Sequence, residues 1–215
     1  MNVQSLLSTQ LEALGLSVSR TVQEQLLLYQ REMLAWNRKI NLTAIRDQAQ
    51  SVEKHLVDSL TPLPLLSGAV NLLDLGSGPG LPAIPLKIAC SELRVVSLEA
   101  QEKKVLFQRH AARILGLTGF TPVRARIEEF ALDPAQRRAY DLVIARALAH
   151  IEQLLQWAAP FLPEGGRFIA MKAQEDEGDL ECLAVAAGFQ WVGQRELVLP
   201  ASGARRRLEV FVRCG

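Results

Sequence analysis

The segment from Val70 to Ala89, VNLLDLGSGPGLPAIPLKIA, limits the folds open to this chain more than any other. It begins with an apolar run, Val70, Leu72, Leu73 and Leu75, of a length that suits a strand buried on both faces. Gly76, Gly78 and Gly80 follow at alternate positions, and a helical pattern rich in Leu, Ile and Ala comes next. Strand, glycine turn and helix in that order open a doubly wound nucleotide-binding sheet. Lacking a Cβ, glycine lets the backbone turn sharply and come close to a ligand. Pro82 suits an early helical position, where no backbone N–H is needed. The bland alternative is a tight turn that holds no ligand.

Spacing separates the possible ligands. A dinucleotide fingerprint, G-x-G-x-x-G, needs its third glycine at position 81, which is Leu. Instead Asp74 stands two residues before Gly76. This order resembles the first motif of the Rossmann-like S-adenosylmethionine-dependent methyltransferases. Ligand chemistry agrees: a pyrophosphate favours the free N–H groups of a helix N-terminus, whereas adenosylmethionine has no phosphate and carries an ammonium and a sulfonium. An acid at the strand tip suits that cation.

Beyond Val70, strand-like and helical patterns alternate. Strands are predicted at 70–75, 93–98, 120–124, 140–145 and 167–171, with helices at about 81–90, 101–115, 127–131 and 150–160. Such alternation implies a parallel sheet with right-handed crossovers. The end differs: a helix at 175–187 precedes two strand-like runs, 190–199 and 207–213, joined by Pro200-Ala-Ser-Gly203. A closing hairpin adds an antiparallel strand to the parallel set, which makes a seven-stranded sheet. Before Val70 lie a helical stripe at 3–14, a longer helix from about Ser19 to Trp36, an Asn-rich stretch at 36–47 without a clean period, and a helix that Pro62 and Pro64 interrupt. The expected layout is a helical cap, 1–66, placed on a sheet domain, 67–215, as one compact unit.

Composition excludes several classes. With 49% hydrophobic and 22% charged residues the 215-residue chain is ordinary for a globular protein, and no apolar run approaches the ~18 residues of a membrane span. The N-terminus lacks a secretory pattern, and Cys90, Cys182 and Cys214 show neither a disulfide framework nor metal-ligand spacing, so a cytoplasmic protein without a metal is expected. A net charge of +1 means that nucleic-acid affinity needs a local patch, and Arg205, Arg206, Arg207 and Arg213 near the C-terminus offer one.

Glu99 closes the second predicted strand, where a carboxylate can accept hydrogen bonds from both ribose hydroxyls. Ala100 and Gln101 would line the same edge; a solvated acid that starts the next helix is the alternative. After the third strand, the Ile127 backbone and the Glu128 carboxylate can contact adenine, or they simply form a first helical turn. Arg146 and Lys172 follow the fourth and fifth strands and so face the reactive edge as positioning groups, although a structural salt bridge is open to Arg146. His55 and Asp58 read first as local packing within the cap. Two absences narrow the chemistry. After the fourth strand the chain reads Ala145-Arg146-Ala147-Leu148 and not the Asn/Asp-Pro-Pro-aromatic clamp common among enzymes that methylate exocyclic amines. No cysteine stands at the end of the fourth or fifth strand, which removes the usual nucleophile for methylating pyrimidine C5. No general base is expected, and the catalytic residues stay unassigned.

Four stretches together resemble the RsmG (GidB) family, guanine-N7 methyltransferases of bacterial 16S ribosomal RNA: WNRKINLTAIRD with HLVDSL downstream, LLDLGSGPGLPAIPL, RARIEEF, and VIARALA followed by MKA. They span cap and sheet. The resemblance implies the Rossmann-like class I methyltransferase fold and adenosylmethionine contacts at Gly76, Leu81, Ile127, Glu128, Arg146 and the Glu99 edge, with Gly78 in the same turn. It also implies RNA contact from the cap and from Lys172, with the small ribosomal subunit or its assembly intermediate as partner and a monomer as the working form. Leu81 is often Phe in relatives and Ala83 often Gly, which touches the detail of the turn. Two rival readings are a non-catalytic nucleotide- or ribosome-binding module and a small-molecule methyltransferase.

Overall fold

In the computed structural model, which describes residues 2–173 and 178–215, the chain opens with helices and closes with strands. Helix α1 (Val3–Ala13) begins at Asn2 and α2 (Arg20–Ile40) at Ser19, each with its side chain accepting a hydrogen bond from an amide of the first turn. Helix α2 buries Leu26, Tyr29 and Met33, and continues one turn beyond the expected Trp36. Arg38 and Lys39 complement its negative end, and Asn41 takes the left-handed conformation (φ 44°) that closes a helix. The next helical segment changes gauge along its length. It comprises α3 (Gln48–Ser51), a π-helical turn (Val52–Val57) and α4 (Asp58–Leu60), which stops just before Pro62.

Strict alternation follows: β1 (Asn71–Leu75), α5 (Ala83–Ala89), β2 (Arg94–Glu99), α6 (Glu102–Leu115), β3 (Phe120–Arg124), α7 (Ile127–Phe130), β4 (Leu142–Arg146), α8 (Ile151–Ala158) and β5 (Arg167–Lys172). Of the helix expected at 175–187, residues 175–177 lie outside the described residues, and the remainder is α9 (Leu180–Ala186), capped by Asp179. A hairpin of β6 (Phe189–Val198) and β7 (Arg205–Arg213) completes the sheet in the order 3-2-1-4-5-7-6. Strands β1 to β5 are parallel, and β7 runs antiparallel to both β5 and β6.

Because side chains alternate across a strand, the central strands feed two cores. Leu72, Leu142, Ile144 and Ile169 pack on one face with Leu26, Tyr29, Leu56, Ile84 and Phe107. Leu73, Val143, Phe168 and Ala170 pack on the other with Leu154, Phe161, Phe189 and Phe211. The cap helices therefore supply one wall of the sheet's own core. Polar bonds reinforce that contact: the buried Glu53 carboxylate accepts from the Ala201 (2.6 Å) and Ser202 (2.9 Å) amides in the hairpin turn. Arg167 donates to the Leu65 and Ser67 carbonyls, at 2.8 and 2.7 Å.

Candidate active site

Strand order reverses between β1 and β4, and ligands of such sheets sit beyond the carboxyl ends of the strands beside that reversal. The glycine turn lies there and is pinned from several elements. Ser77 N–H donates to the Leu98 carbonyl (3.0 Å), Gly78 N–H to Glu99 Oε2 (2.9 Å), and Tyr29 Oη–H from α2 to the Pro79 carbonyl (2.9 Å). Gln108 of α6 donates to Ser77 Oγ and to the Gly78 carbonyl, both at 2.8 Å. Gly76 has φ +68°, and a Cβ there would come within 2.6 Å of Leu148, so conformation and packing both call for glycine. Asp74 differs from its sequence reading as a partner for the ligand's cation. It is fully buried and lines neither cavity of the crevice, and its Oδ2 accepts from Ala83 N–H (3.1 Å), which ties β1 to the start of α5. Burial pushes its carboxyl up to about 7, against the Ala83 bond and Arg146, while Glu99 adds to the rise.

Two cavities open at this edge. The first, of about 400 Å³, is lined by Gly76, Glu99, Ala100, Gln101, Ile127, Glu128 and Arg146, together with Leu98, Lys104, Leu148 and Trp157. Seven of the residues expected to hold the cofactor thus meet in one place. Glu99 is already oriented, since Oε1 accepts from Gln101 N–H (2.8 Å) and Oε2 from Gly78 N–H, which leaves further lone pairs for hydroxyl donors. Carboxylate oxygens at one end and apolar walls from Leu98, Ile127 and Leu148 suit a nucleoside. Trp157 is absent from the sequence reading. Its Nε1–H donates to Glu128 Oε1 (2.9 Å) and its ring completes the wall. Gln108 also escaped notice, although it lies one helical turn from Lys104 on α6.

The second cavity, of about 310 Å³, shares Gly76, Arg146 and Ala147 with the first and adds Gly78, Leu81 and Lys172 with the cap residues Ile45, Lys54, His55 and Asp58. Leu81 and Gly78 therefore face this chamber and not the nucleoside one. Arg146 Nη1–H donates to the Lys54 carbonyl (3.0 Å) and to Asp58 Oδ2 (3.3 Å), and Asp58 Oδ1 accepts from Arg206 Nε–H (2.9 Å). Asp58 thus joins a cap helix to β4 and β7, which corrects its reading as local packing. Lys172 Nζ–H donates to the Ala149 carbonyl at 2.8 Å. His55 sits between Thr43 Oγ1 and Ser51 Oγ, both at 3.0 Å, and burial, assisted by Arg146, lowers its pKa to about 3. Within the expected basic patch at 205–207, Arg206 pairs with Asp58, which it shares with Arg146, Arg207 pairs with Glu196 at 2.6 Å, and Arg205 is exposed.

Residues 22–208 match the family model described as GidB, rRNA small subunit methyltransferase G. A ribosomal RNA small subunit methyltransferase G of Syntrophotalea carbinolica is 45% identical over 214 residues, which cover 98% of each chain. Among solved structures, the 1,6-didemethyltoxoflavin-N1-methyltransferase of Burkholderia thailandensis superposes with a TM-score of 0.61 at 14% identity, covering 93% of this chain and 92% of that one. The 4+2 cyclase SpnF does so with 0.60 at 14% identity, covering 92% and 97%. A cyclase and a methyltransferase on one scaffold show that these likenesses speak for the fold, and the reaction has to be argued from the site.

Proposed function

The chain belongs to the GidB family of small-subunit rRNA methyltransferases, and from that premise we propose that it methylates N7 of a guanosine in 16S ribosomal RNA with S-adenosylmethionine as donor. The observation that carries the reading is the pair of cavities sharing Gly76, Arg146 and Ala147. One chamber suits a nucleoside and the other lies open to a base, and Gly76, Arg146 and Ala147 would hold the donor where the two meet. The fit to the donor rests on the chain's own groups: the Glu99 oxygens for ribose hydroxyls, the Gln101 edge, Ile127 and Trp157 beside adenine, and a glycine turn at which Gly76 leaves no room for a side chain. Bound adenosylmethionine would supply an electrophilic methyl group on its sulfonium. Arg146, held by Asp58, and Lys172, held at Ala149, position the substrate side.

No residue needs to take a proton. Guanine N7 has an in-plane lone pair and no hydrogen at neutral pH, so alignment and charge placement carry the rate. His55 lines the substrate chamber, but with a pKa near 3 it stays neutral and is a poor base. The helical cap of residues 1–66 acts with the sheet domain of 67–215 on the small ribosomal subunit, as a monomer in the cytoplasm; no helix among the described residues is long and apolar enough to cross a membrane. The test is transfer of radiolabelled methyl from adenosylmethionine to small subunits from a strain lacking this protein. One equivalent per subunit, released as 7-methylguanosine, is expected. Label confined to small molecules, or none at all, would overturn the reading.

A further inference from the structure

Away from the crevice, α2 and the 41–48 segment enclose a third concavity of about 420 Å³, lined by Arg31, Leu34, Asn37, Arg38, Arg46 and Gln48. Arg31, Arg38 and Arg46 are exposed, and none forms an ion pair with a described residue. This contrasts with Arg146 and Arg206, which share Asp58, and with Arg207, which pairs with Glu196. Three guanidiniums around one hollow, without a carboxylate partner among the described residues, concentrate the positive field there in a chain of net charge +1. Arg31 and Arg38 are two helical turns apart, about 10 Å along α2, a span suited to several phosphates of a chain more than to a single ion.

The hollow is coupled to the crevice by a rigid divider. Asn37 Oδ1 accepts from the Leu42 (2.7 Å) and Thr43 (2.9 Å) amides, and its Nδ2 donates to the Thr43 (2.9 Å) and Ile45 (3.3 Å) carbonyls. The loop so fixed turns Ile45 into the substrate chamber and Arg46 into the arginine hollow. We propose that the hollow bounded by Arg31, Arg38 and Arg46 is a phosphodiester-binding site, holding the backbone of the RNA strand whose target base enters the crevice across the 41–47 loop. This rests on the reading of the crevice as an RNA methyltransferase site. Guanidinium groups suit the task because their planar donors pair with phosphate oxygens two at a time. The site would hold RNA without regard to its sequence, as backbone contacts do.

The test compares the wild type with R31Q/R38Q/R46Q, with R31K/R38K/R46K, and with R94Q/R113Q as a control. Arg94 and Arg113 are exposed, and Arg94 begins β2 at the end of the sheet opposite the crevice. Steady-state methylation of unmethylated small subunits and filter binding of a 16S ribosomal RNA transcript are measured over a range of salt. For the triple Gln variant, KM for subunits should rise at least about 10-fold, with kcat and adenosylmethionine affinity unchanged. The slope of log affinity against log salt should fall by about two, since each phosphate contact contributes ~0.7–0.9. The Lys variant should recover most of the salt slope, and the control should keep wild-type values. Unchanged KM and slope in the triple Gln variant, or an equal change in the control, would overturn the site. If the wild type binds the transcript but transfers no methyl, the catalytic reading fails, while the binding comparison still decides the phosphodiester site.

Discussion

The glycine turn and the junction between cap and hairpin meet in one crevice but are held together differently. At the turn, the partners of Asp74, Ser77 and Gly78 come from within about 30 residues, through the backbone of Ala83 and Leu98 and the side chains of Glu99 and Gln108. At the junction, Asp58 meets Arg146 across 88 residues and Arg206 across 148, and Glu53 reaches the hairpin turn across 148 and 149. The turn draws its partners mainly from the strand and helix that follow it, with Tyr29 of α2 as a more distant tether. Only the complete fold assembles the junction, from side chains whose charges must be met once buried.

The junction should therefore give the largest response to a single change. Asp58→Ala removes the anion between two guanidiniums and should cost about 3–5 kcal/mol of stability in urea unfolding, as for other buried pairs that lose one partner. A loss below about 1 kcal/mol would show that water already screens the pair. At the turn, Glu99→Ala should weaken adenosylmethionine by roughly 1.5–3 kcal/mol in titration calorimetry, the range for hydrogen bonds to charged groups. Unchanged affinity in a folded variant would remove Glu99 from the ribose.

Acid and base set the two regions against each other. His55 at the junction is held near 3 against 6.5 in the unfolded chain, so as pH falls through 6.5 the unfolded state gains a proton that the fold refuses, and stability drops. Asp74 at the turn is held near 7 against 3.8, so as pH rises from 3.8 the unfolded state sheds a proton that the fold keeps, and stability drops in that direction. Between these limits the two oppose, each by at most ~1.4 kcal/mol per pH unit. Relative to wild type, Asp74→Asn should make stability climb more steeply with pH from about 4 to 6.5, and His55→Gln should tilt it the other way. Equal slopes in all three proteins would disprove the opposition. The smallest effect is expected at Tyr29, which ties the cap to the turn through Pro79. Tyr29→Phe should lower stability by about 1 kcal/mol, the net worth of one buried hydrogen bond, and thermal unfolding would measure it.

How much of this was legible in the sequence follows the same division. Burial on both faces marks β1, β2, β4 and β5 as apolar runs, and alternation with helices then dictates a parallel sheet, so the architecture and the Glu99 edge could be read residue by residue. The π-helical turn at Val52–Val57 leaves no local signature, and without it the facing of His55 and Asp58 could not be placed. Arg206 looked like part of an exposed basic tail because a single acid, Glu209, stands among the arginines there; its partner lies in the cap. Asp74 misled for a related reason. An acid at a strand tip can meet a ligand or a helix amide, and only the packing of α5 decides between them.

Guanine N7 attacks without a proton to lose, in a crevice whose histidine is held near 3. Single-turnover methyl transfer to small subunits, measured from about pH 6 to 8 with enzyme and adenosylmethionine saturating, tests this most directly. The rate should be nearly flat, and lowered but still flat in Arg146→Ala and Lys172→Ala. A rate that climbs about 10-fold per pH unit on the methyl-transfer step would show that a group must first lose a proton, and would contradict attack by guanine N7.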